Sequence, residues 1–478
     1  MLVLWILLAA LVCFLAAILI RALRFQPYKV EPTAAEAVAL NEEKIVRDMQ
    51  DMIRCKTVSS RDEAEIDRAE FAKFGALMAE RFPNIYAACA FYKIGKTGLM
   101  YHLKGESAEK PSVCMAHYDV VPVEQENWSR PAFDGALIDG HIWGRGTMDT
   151  KGTLCGVCEA LEQLLAGGYT PKNDLYLAFS GEEEVDGDSC REMVAWLDAR
   201  GVKPEFVLDE GGAIVGNVFP GVSRECAMIG IGEKGGLNLE FTRRSAGGHA
   251  STPPPRSALG DLSRAVAAIE AKPFRRQLTP PVAQMFDILG RESTFLYRLI
   301  FANLWCFMPV LDMICKKSGG ELNAILRTTV AVTRMQGSKA FNVLPQKATL
   351  GLNLRLLGND TIASATEYLQ QVIGNDAIDV AVVSGMEASP FSSTDCEGWG
   401  LLTQTIRESW PEILVSPYLM MACSDSRHYC EISDKVYRFS GMRMSKEERA
   451  MIHGSDERIP VETLLKTVEF YIRLLKKL

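Results

Sequence analysis

Asp174-Leu175-Tyr176-Leu177-Ala178-Phe179-Ser180-Gly181-Glu182-Glu183-Glu184 runs an apolar stretch straight into a glycine and three consecutive acids. A short apolar run bounded by a turn signal reads as a strand buried on both faces, here Asp174 to Phe179. The acids at its end cannot share that core. The same arrangement stands upstream, where Ser112 to Met115 leads into Ala116-His117-Tyr118-Asp119, and downstream, where Phe206 to Leu208 leads into Asp209-Glu210-Gly211-Gly212. Between these strands the spacing predicts helices over Thr153 to Ala166 and Cys190 to Arg200. Strand, helix, strand in succession requires crossover connections and gives a mostly parallel sheet. Binding sites in such sheets gather at the carboxyl ends of the strands, where these acids and His117 fall.

Outward from this unit, helical periodicity covers Glu36 to Arg54 and Glu65 to Arg81. The texture changes near Gly235. Gly236 to Thr242, Thr328 to Thr333, Thr349 to Leu357 and Asp379 to Val383 read as strands, with helices at Ala258 to Lys272 and Ile362 to Ile373. That βαββαβ order predicts a smaller α+β domain inserted into the first one. Trp399 to Ser409 and Val461 to Lys477 then return as helices on the original sheet. The expected organisation is a discontinuous α/β domain over residues 36–234 and 388–478, interrupted by a smaller inserted domain over 235–387.

The chain has 478 residues, enough for two domains, with 48% hydrophobic and 23% charged residues. Single cores seldom grow past roughly 250–300 residues. A net charge of -8 argues against nucleic acid as a partner. Leu2 to Ile20 carries no charge, Gly or Pro and is long enough to cross a hydrocarbon core of about 30 Å at about 1.5 Å per residue. It reads as a membrane anchor over residues 1–25. A cleaved signal peptide is the rival, but there is no basic segment ahead of it beyond the amino terminus and no small-x-small cleavage site before Arg21. Arg21, Arg24 and Lys29 on the carboxyl side favour a cytoplasmic globular part. Thirteen cysteines without regular spacing fit a reducing compartment.

Residues 280–317 are the least expected stretch of the insertion, with Phe295-Leu296-Tyr297-Arg298-Leu299-Ile300-Phe301 and Leu304-Trp305-Cys306-Phe307-Met308. Arg298, Pro309 and Asp312 break any long span, and a second spanning helix would tear the inserted domain across the bilayer. Two readings stand: buried helices that extend the inserted domain's core, or an apolar wall for a greasy substrate or the membrane surface.

Only six histidines occur, and two sit in segments suited to metal: His117 and, in Met451-Ile452-His453-Gly454, His453. Zinc-like ions take imidazole nitrogen and carboxylate oxygen, with one position left for water. His117, Asp149 of Gly146-Thr147-Met148-Asp149-Thr150-Lys151-Gly152, Asp209, one glutamate of the triplet and His453 supply two ions if one carboxylate bridges them. Such ions, about 3.5–4 Å apart, can share a hydroxide and stabilise an oxyanion. Another carboxylate must stay free to take a proton. His102 and His141 belong to no motif and read as structural. His428 is undecided, and Cys114 reads as a small buried apolar residue.

In these five ordered motifs the chain from about Glu42 to Leu478 resembles the dizinc exopeptidases that include aminoacylases, glutamate carboxypeptidases and the secreted or vacuolar carboxypeptidases of that line. The resemblance implies His117 as a ligand with Asp119 orienting its ring, and Asp149 as the bridging carboxylate, followed by a cis peptide. It implies Asp209 at the first ion and Glu184 and His453 at the second, with Glu183 as general base. A one-residue slide of the triplet would shift the last two acidic roles to Glu183 and Glu182. It further implies that His249, in Gly247-Gly248-His249-Ala250-Ser251-Thr252-Pro253, helps hold the oxyanion, sometimes from a partner subunit. Asn342, Arg355 and Arg427 would meet the substrate's oxyanion and carboxylate, a task suited to guanidinium. Ala422, where that loop commonly has Gly, and Leu357-Gly358, where Pro-Gly usually follows the Arg, depart from the pattern and touch substrate choice.

The expected function is a membrane-tethered hydrolase, with two divalent ions, zinc or else cobalt or manganese, that releases an amino acid from a peptide or N-acyl amino acid. N-fatty-acyl amino acids, in hydrolysis or its reverse, are the lipid alternative. A noncatalytic scaffold on the same fold is the rival of another class. The ligand order makes residues 36–234 and 388–478 the catalytic domain, the resemblance implies that residues 235–387 are a lid or dimerisation domain, and a homodimer through it is implied by resemblance alone.

Overall fold

The computed structural model describes residues 1–29 and 36–478. Its largest element is a nine-stranded sheet, ordered Ala90–Ile94, Gly98–Leu103, Asn173–Ser180, Ser107–His117, Phe206–Asp209, Val436–Arg438, Cys226–Glu233 and Leu414–Met420, with Ile214–Val215 joined to Cys226–Glu233. The three strands read first from the sequence lie side by side. Ser107–His117 pairs in parallel with both Asn173–Ser180 and Phe206–Asp209. Their carboxyl ends therefore open at one rim, and His117, the acidic triplet and Glu210 meet there. Antiparallel strands occur only toward the Ala90–Ile94 edge, at the Ile214–Val215 pairing and at one bridge beside Val436–Arg438 among the described residues.

Lys151–Ala166 packs on this sheet with Val461–Leu475 beside it. The first, the helix expected from the spacing over Thr153 to Ala166, is buried along nearly its whole length.

A four-stranded antiparallel sheet ordered Thr329–Gln336, Lys347–Leu356, Gly235–Arg244 and Ile378–Met386 forms the second layer. Its helices Ala258–Ala271 and Ile362–Ile373 cover one face, and its core is separate: Leu237, Leu239, Phe241, Leu262, Leu350, Leu354 and Leu369 pack together. The alternation seen in the sequence is that of strands with one covered face. Chain order through this layer is strand, helix, two strands, helix, strand, with the short Val343–Leu344 strand beside the Gly248–His249 pair.

The stretch after Ala271 departs from the first of the two readings. Helices Pro280–Glu292, Phe295–Phe301, Leu304–Ser318 and Gly320–Leu326 leave the small domain. Val282, Phe286, Leu289, Phe301 and Leu326 join the core of the large sheet, where Pro280–Glu292 lies on Leu414–Met420. Physically, the open face of that edge strand offers these side chains a larger apolar partner than the small sheet, whose one covered face is already filled by its own two helices. The amino-terminal helix Leu2–Arg24 packs against Phe295–Phe301 and the corner that follows it, and most of its residues are exposed. It is long and apolar enough to cross a membrane.

Candidate metal centre

His117 is the last residue of its strand and almost fully buried. Its Nδ1 lies 3.0 Å from the Asp119 carbonyl oxygen, which leaves Nε2 facing the rim. There Nε2 is 3.0 Å from Asp149 Oδ1 and 3.2 Å from Glu210 Oε1. The other oxygen of Asp149 is 3.1 Å from His453 Nε2, which is also 3.0 Å from Glu184 Oε2. One carboxylate thus stands between two imidazoles with an oxygen turned to each. That is the geometry a bridging ligand needs.

The loop carrying Asp149 is held from behind. Glu457, fully buried, accepts from the backbone N–H groups of Gly146 at 3.0 Å and Met148 at 2.9 Å, and from Arg145 Nη1 at 2.7 Å. Removing one partner of such a buried pair typically costs about 3–5 kcal/mol, so this contact fixes the loop firmly. Lys151 donates to the carbonyls of Met52 and Cys55, and burial pushes its pKa down to about 8. The Asp149–Thr150 peptide is cis, as the resemblance implied.

The acidic triplet is a single 3₁₀ turn beginning after Glu182. Asp119, completely buried, accepts from the N–H of Glu183 and of Glu184, both at 3.2 Å, and from Ser59 Oγ at 2.7 Å. It therefore positions the turn as well as the His117 ring. Glu182 faces Ser189, accepting from its hydroxyl and N–H. In this geometry Glu184 lies beside His453, and Glu183 beside His117 and Glu210. His453 reaches Glu184 and Asp149 from a left-handed backbone conformation, φ 60°, which a non-glycine residue adopts at some strain.

Asp209, expected at the first ion, turns away. Its Oδ2 accepts from Ser426 N–H at 3.1 Å, and the neighbouring Glu210 occupies the place beside His117. Successive residues at a strand end point to opposite sides, so only one of the two acids can face the rim. Glu210 and Glu457 are the residues that sequence reasoning missed.

The electrostatics show a surplus of carboxylates. Hydrogen bonding to Asp149 and Glu184 raises His453 to about 10. Burial pushes Glu183 well above the carboxylate range and Glu210 to about 7. Asp425 rises by burial to about 8. Glu184 Oε1 is buried with no hydrogen-bond partner among the described residues. Imidazole and carboxylate donors crowded in this way fit divalent cations, which would bring the missing positive charge. Around Asp149 the donors divide into His117 and Glu210 on one side and Glu184 and His453 on the other.

A cavity of about 480 Å³ opens at this cluster, and Asp149, Glu183, Glu184, Glu210 and His453 are among its lining residues. Its remaining wall is mostly apolar and includes Met228, Met285, Leu322 and Ile325. Four expected substrate contacts do not line it. His249 and Asn342 lie at the small domain's two-stranded pairing of Gly248–His249 with Val343–Leu344, with Ala250 N–H donating to the Asn342 carbonyl at 3.0 Å. Arg427 is buried and paired with Glu233 at 3.0 Å, which also accepts from Arg438 at 2.6 Å. Its guanidinium anchors the loop after Ser424 instead of facing the cavity as a free cation. Arg355 lies nearest, donating to the sulfur of Cys423, a cavity residue, at 3.5 Å. Arg449, unforeseen, lines the cavity directly.

The sequence profile of peptidase family M20/M25/M40 matches residues 113–477. The chain belongs to that family. M20 members bind a dinuclear metal centre, and this chain is accordingly a metallopeptidase-type hydrolase. Among M20 relatives, the probable carboxypeptidase S-like 2 of Dictyostelium discoideum is 34% identical over 429 residues, covering 88% of this chain and 82% of the relative. The N-fatty-acyl-amino acid synthase/hydrolase PM20D1 of Xenopus tropicalis is 32% identical over 452 residues, covering 93% and 88%. In fold, the M20 family metallo-carboxypeptidase Sso-CP2 of Sulfolobus solfataricus aligns with a TM-score of 0.66 at 17% identity, over 90% of this chain and 98% of that one.

Proposed function

We propose that the protein cleaves, or in reverse forms, the amide bond of N-fatty-acyl amino acids. The observation that carries this reading is the cavity whose lining joins the His/Asp/Glu cluster to a mostly apolar wall that includes Met285, Leu322 and Ile325. A substrate with a polar amide head and a long apolar chain matches such a wall, whereas a short dipeptide leaves it unfilled. The name of the Xenopus relative supports the same substrate class.

Two divalent ions, in our reading zinc, held by His117, Asp149, Glu210, Glu184 and His453, would supply Lewis-acid polarisation of the amide carbonyl and acidify water. Glu183, whose backbone is pinned by Asp119, takes the proton from the attacking water and returns it to the leaving nitrogen. Asp119 keeps the His117 ring oriented through its carbonyl and holds the triplet through its carboxylate. Arg355 at the cavity edge receives the free carboxylate, and His249 with Asn342 joins the oxyanion when the small domain closes or when a twin subunit supplies them. Val332, Met335, Val382 and Val383 are exposed on that domain's outer strands and are the surface through which a twin would pack. The helix Leu2–Arg24 tethers the enzyme to a membrane, and Arg21, Arg24 and Lys29 favour a cytoplasmic catalytic body.

The test is a homologous series of N-acyl amino acids with acyl chains of increasing length. Burying each CH₂ contributes about 0.8 kcal/mol, so kcat/KM should climb by up to about fourfold per carbon until the wall is filled. Leu322→Trp should shift the optimum to shorter chains. A series with no gain beyond short acyl groups would remove the lipid substrate while leaving the peptidase chemistry in place.

A further inference from the structure

The contacts between Leu2–Arg24 and the helices after Ser293 act as a depth gauge. Arg298 Nη1 donates to Gln26 Oε1 at 3.0 Å, Arg21 Nε donates to the Ala302 carbonyl at 3.2 Å, and Asn303 Nδ2 donates to the Ile18 carbonyl at 3.0 Å. Next, the Phe14 and Trp305 rings meet edge to face at 5.8 Å. As the chain advances from Arg298 to Trp305, its partners recede from Gln26 to Phe14. Phe295–Phe301 therefore runs antiparallel to the amino-terminal helix and penetrates beside it.

Phe14 lies six residues inside Ile20, about 9 Å at the helical rise of about 1.5 Å per residue, in a hydrocarbon layer of about 30 Å. If Leu2–Arg24 spans a bilayer, Trp305 cannot remain in water. The chain then bends by 106° into Leu304–Ser318, which leaves the axis sideways. On that helix Val310, Met313 and Ile314, spaced to share one face, are 47%, 62% and 54% exposed, while Asp312 and Cys315 face inward and are buried. Trp305 is 60% and Leu296 69% exposed. An outward apolar stripe of this kind is contrary to what water selects. Lys316 and Lys317 end the helix, where long basic side chains can reach headgroups.

We infer that the segment Phe295–Ser318 is a re-entrant element seated in the hydrocarbon of a phospholipid bilayer beside the amino-terminal span. It does not cross the membrane. The backbone stays helical on either side of the bend, and Asn303 at the corner satisfies the Ile18 and Leu299 carbonyls, so few polar groups are left facing lipid. The helices flanking it, Pro280–Glu292 and Gly320–Leu326, carry the cavity residues Met285, Leu322 and Ile325. The acyl wall of the candidate site is therefore built on the two helices that flank the segment meeting lipid. This inference rests on the span reading of Leu2–Arg24 and not on the acyl-substrate reading.

The experiment places an environment-sensitive fluorescent amino acid at Leu11, Met313 or Lys93 in the full chain, reconstituted in phosphatidylcholine vesicles. Lys93 is exposed on the sheet edge opposite the strand that Pro280–Glu292 covers. Nitroxides on the acyl chains and aqueous iodide serve as the two quenchers. The expected result is lipid quenching at 313 as strong as at 11, protection of both from iodide, and the reverse pattern at 93. If 11 is lipid-quenched while 313 responds to iodide like 93, the re-entrant element is overturned and the span stands. If 11 itself responds to iodide, the span and the inference both fall. Hydrolysis of a short, water-soluble N-acyl amino acid by each labelled protein reports separately on the catalytic reading.

Discussion

Glu183→Ala should lower kcat by about 10²–10⁴-fold, the range that proton transfer by a positioned side chain contributes, while both ions stay bound. The expectation follows from the division of labour inside the triplet. Glu184 stands beside His453 and Glu182 is taken up by Ser189. Glu183 is left facing His117 and Glu210 across the rim, in a pocket where burial raises its affinity for a proton. A carboxylate so placed suits the proton transfer proposed for it. Glu183→Gln keeps the shape and should be equally inactive, with metal analysis unchanged. An active, metal-loaded Glu183→Ala protein would refute the role.

Glu210→Ala should remove a donor from the ion beside His117 and weaken that ion's binding by at least about 10–100-fold, since even partners that merely orient ligands contribute that much. Metal content should drop toward one ion per chain, with loss of turnover. Asp209→Asn should keep both ions, because its side-chain oxygen still accepts from Ser426 N–H. The pair of variants is informative as a contrast. If Asp209→Asn empties the site and Glu210→Ala leaves it full, the strand-end geometry described above is wrong.

That contrast also shows where sequence reading ends. The parallel strands and the rim that gathers His117, the triplet and Asp149 were legible because each apolar run stops at a polar, glycine-containing turn; the order of the strands across the sheet was not. The choice between Asp209 and Glu210 was not. Phe206–Asp209 is buried on both faces, so it carries no alternation from which to read which neighbour points to the rim. Glu457 left no local signal either, since its partners at Arg145, Gly146 and Met148 lie about three hundred residues away in the chain. The helices from Pro280 onward were visible as apolar segments. Their partner was not, because the sequence shows that a face must be buried but not that the Leu414–Met420 edge and the amino-terminal helix would bury it. Arg427 illustrates the opposite error: a guanidinium suited to a substrate carboxylate is claimed by the buried Glu233.

Anomalous diffraction at the zinc edge, from crystals of the zinc-loaded protein, tests the central claim most directly. Two peaks should flank the Asp149 carboxylate about 3.5–4 Å apart, one against His117 and Glu210, the other against Glu184 and His453. A single peak remote from Asp149, or none at full zinc occupancy in solution, would contradict it.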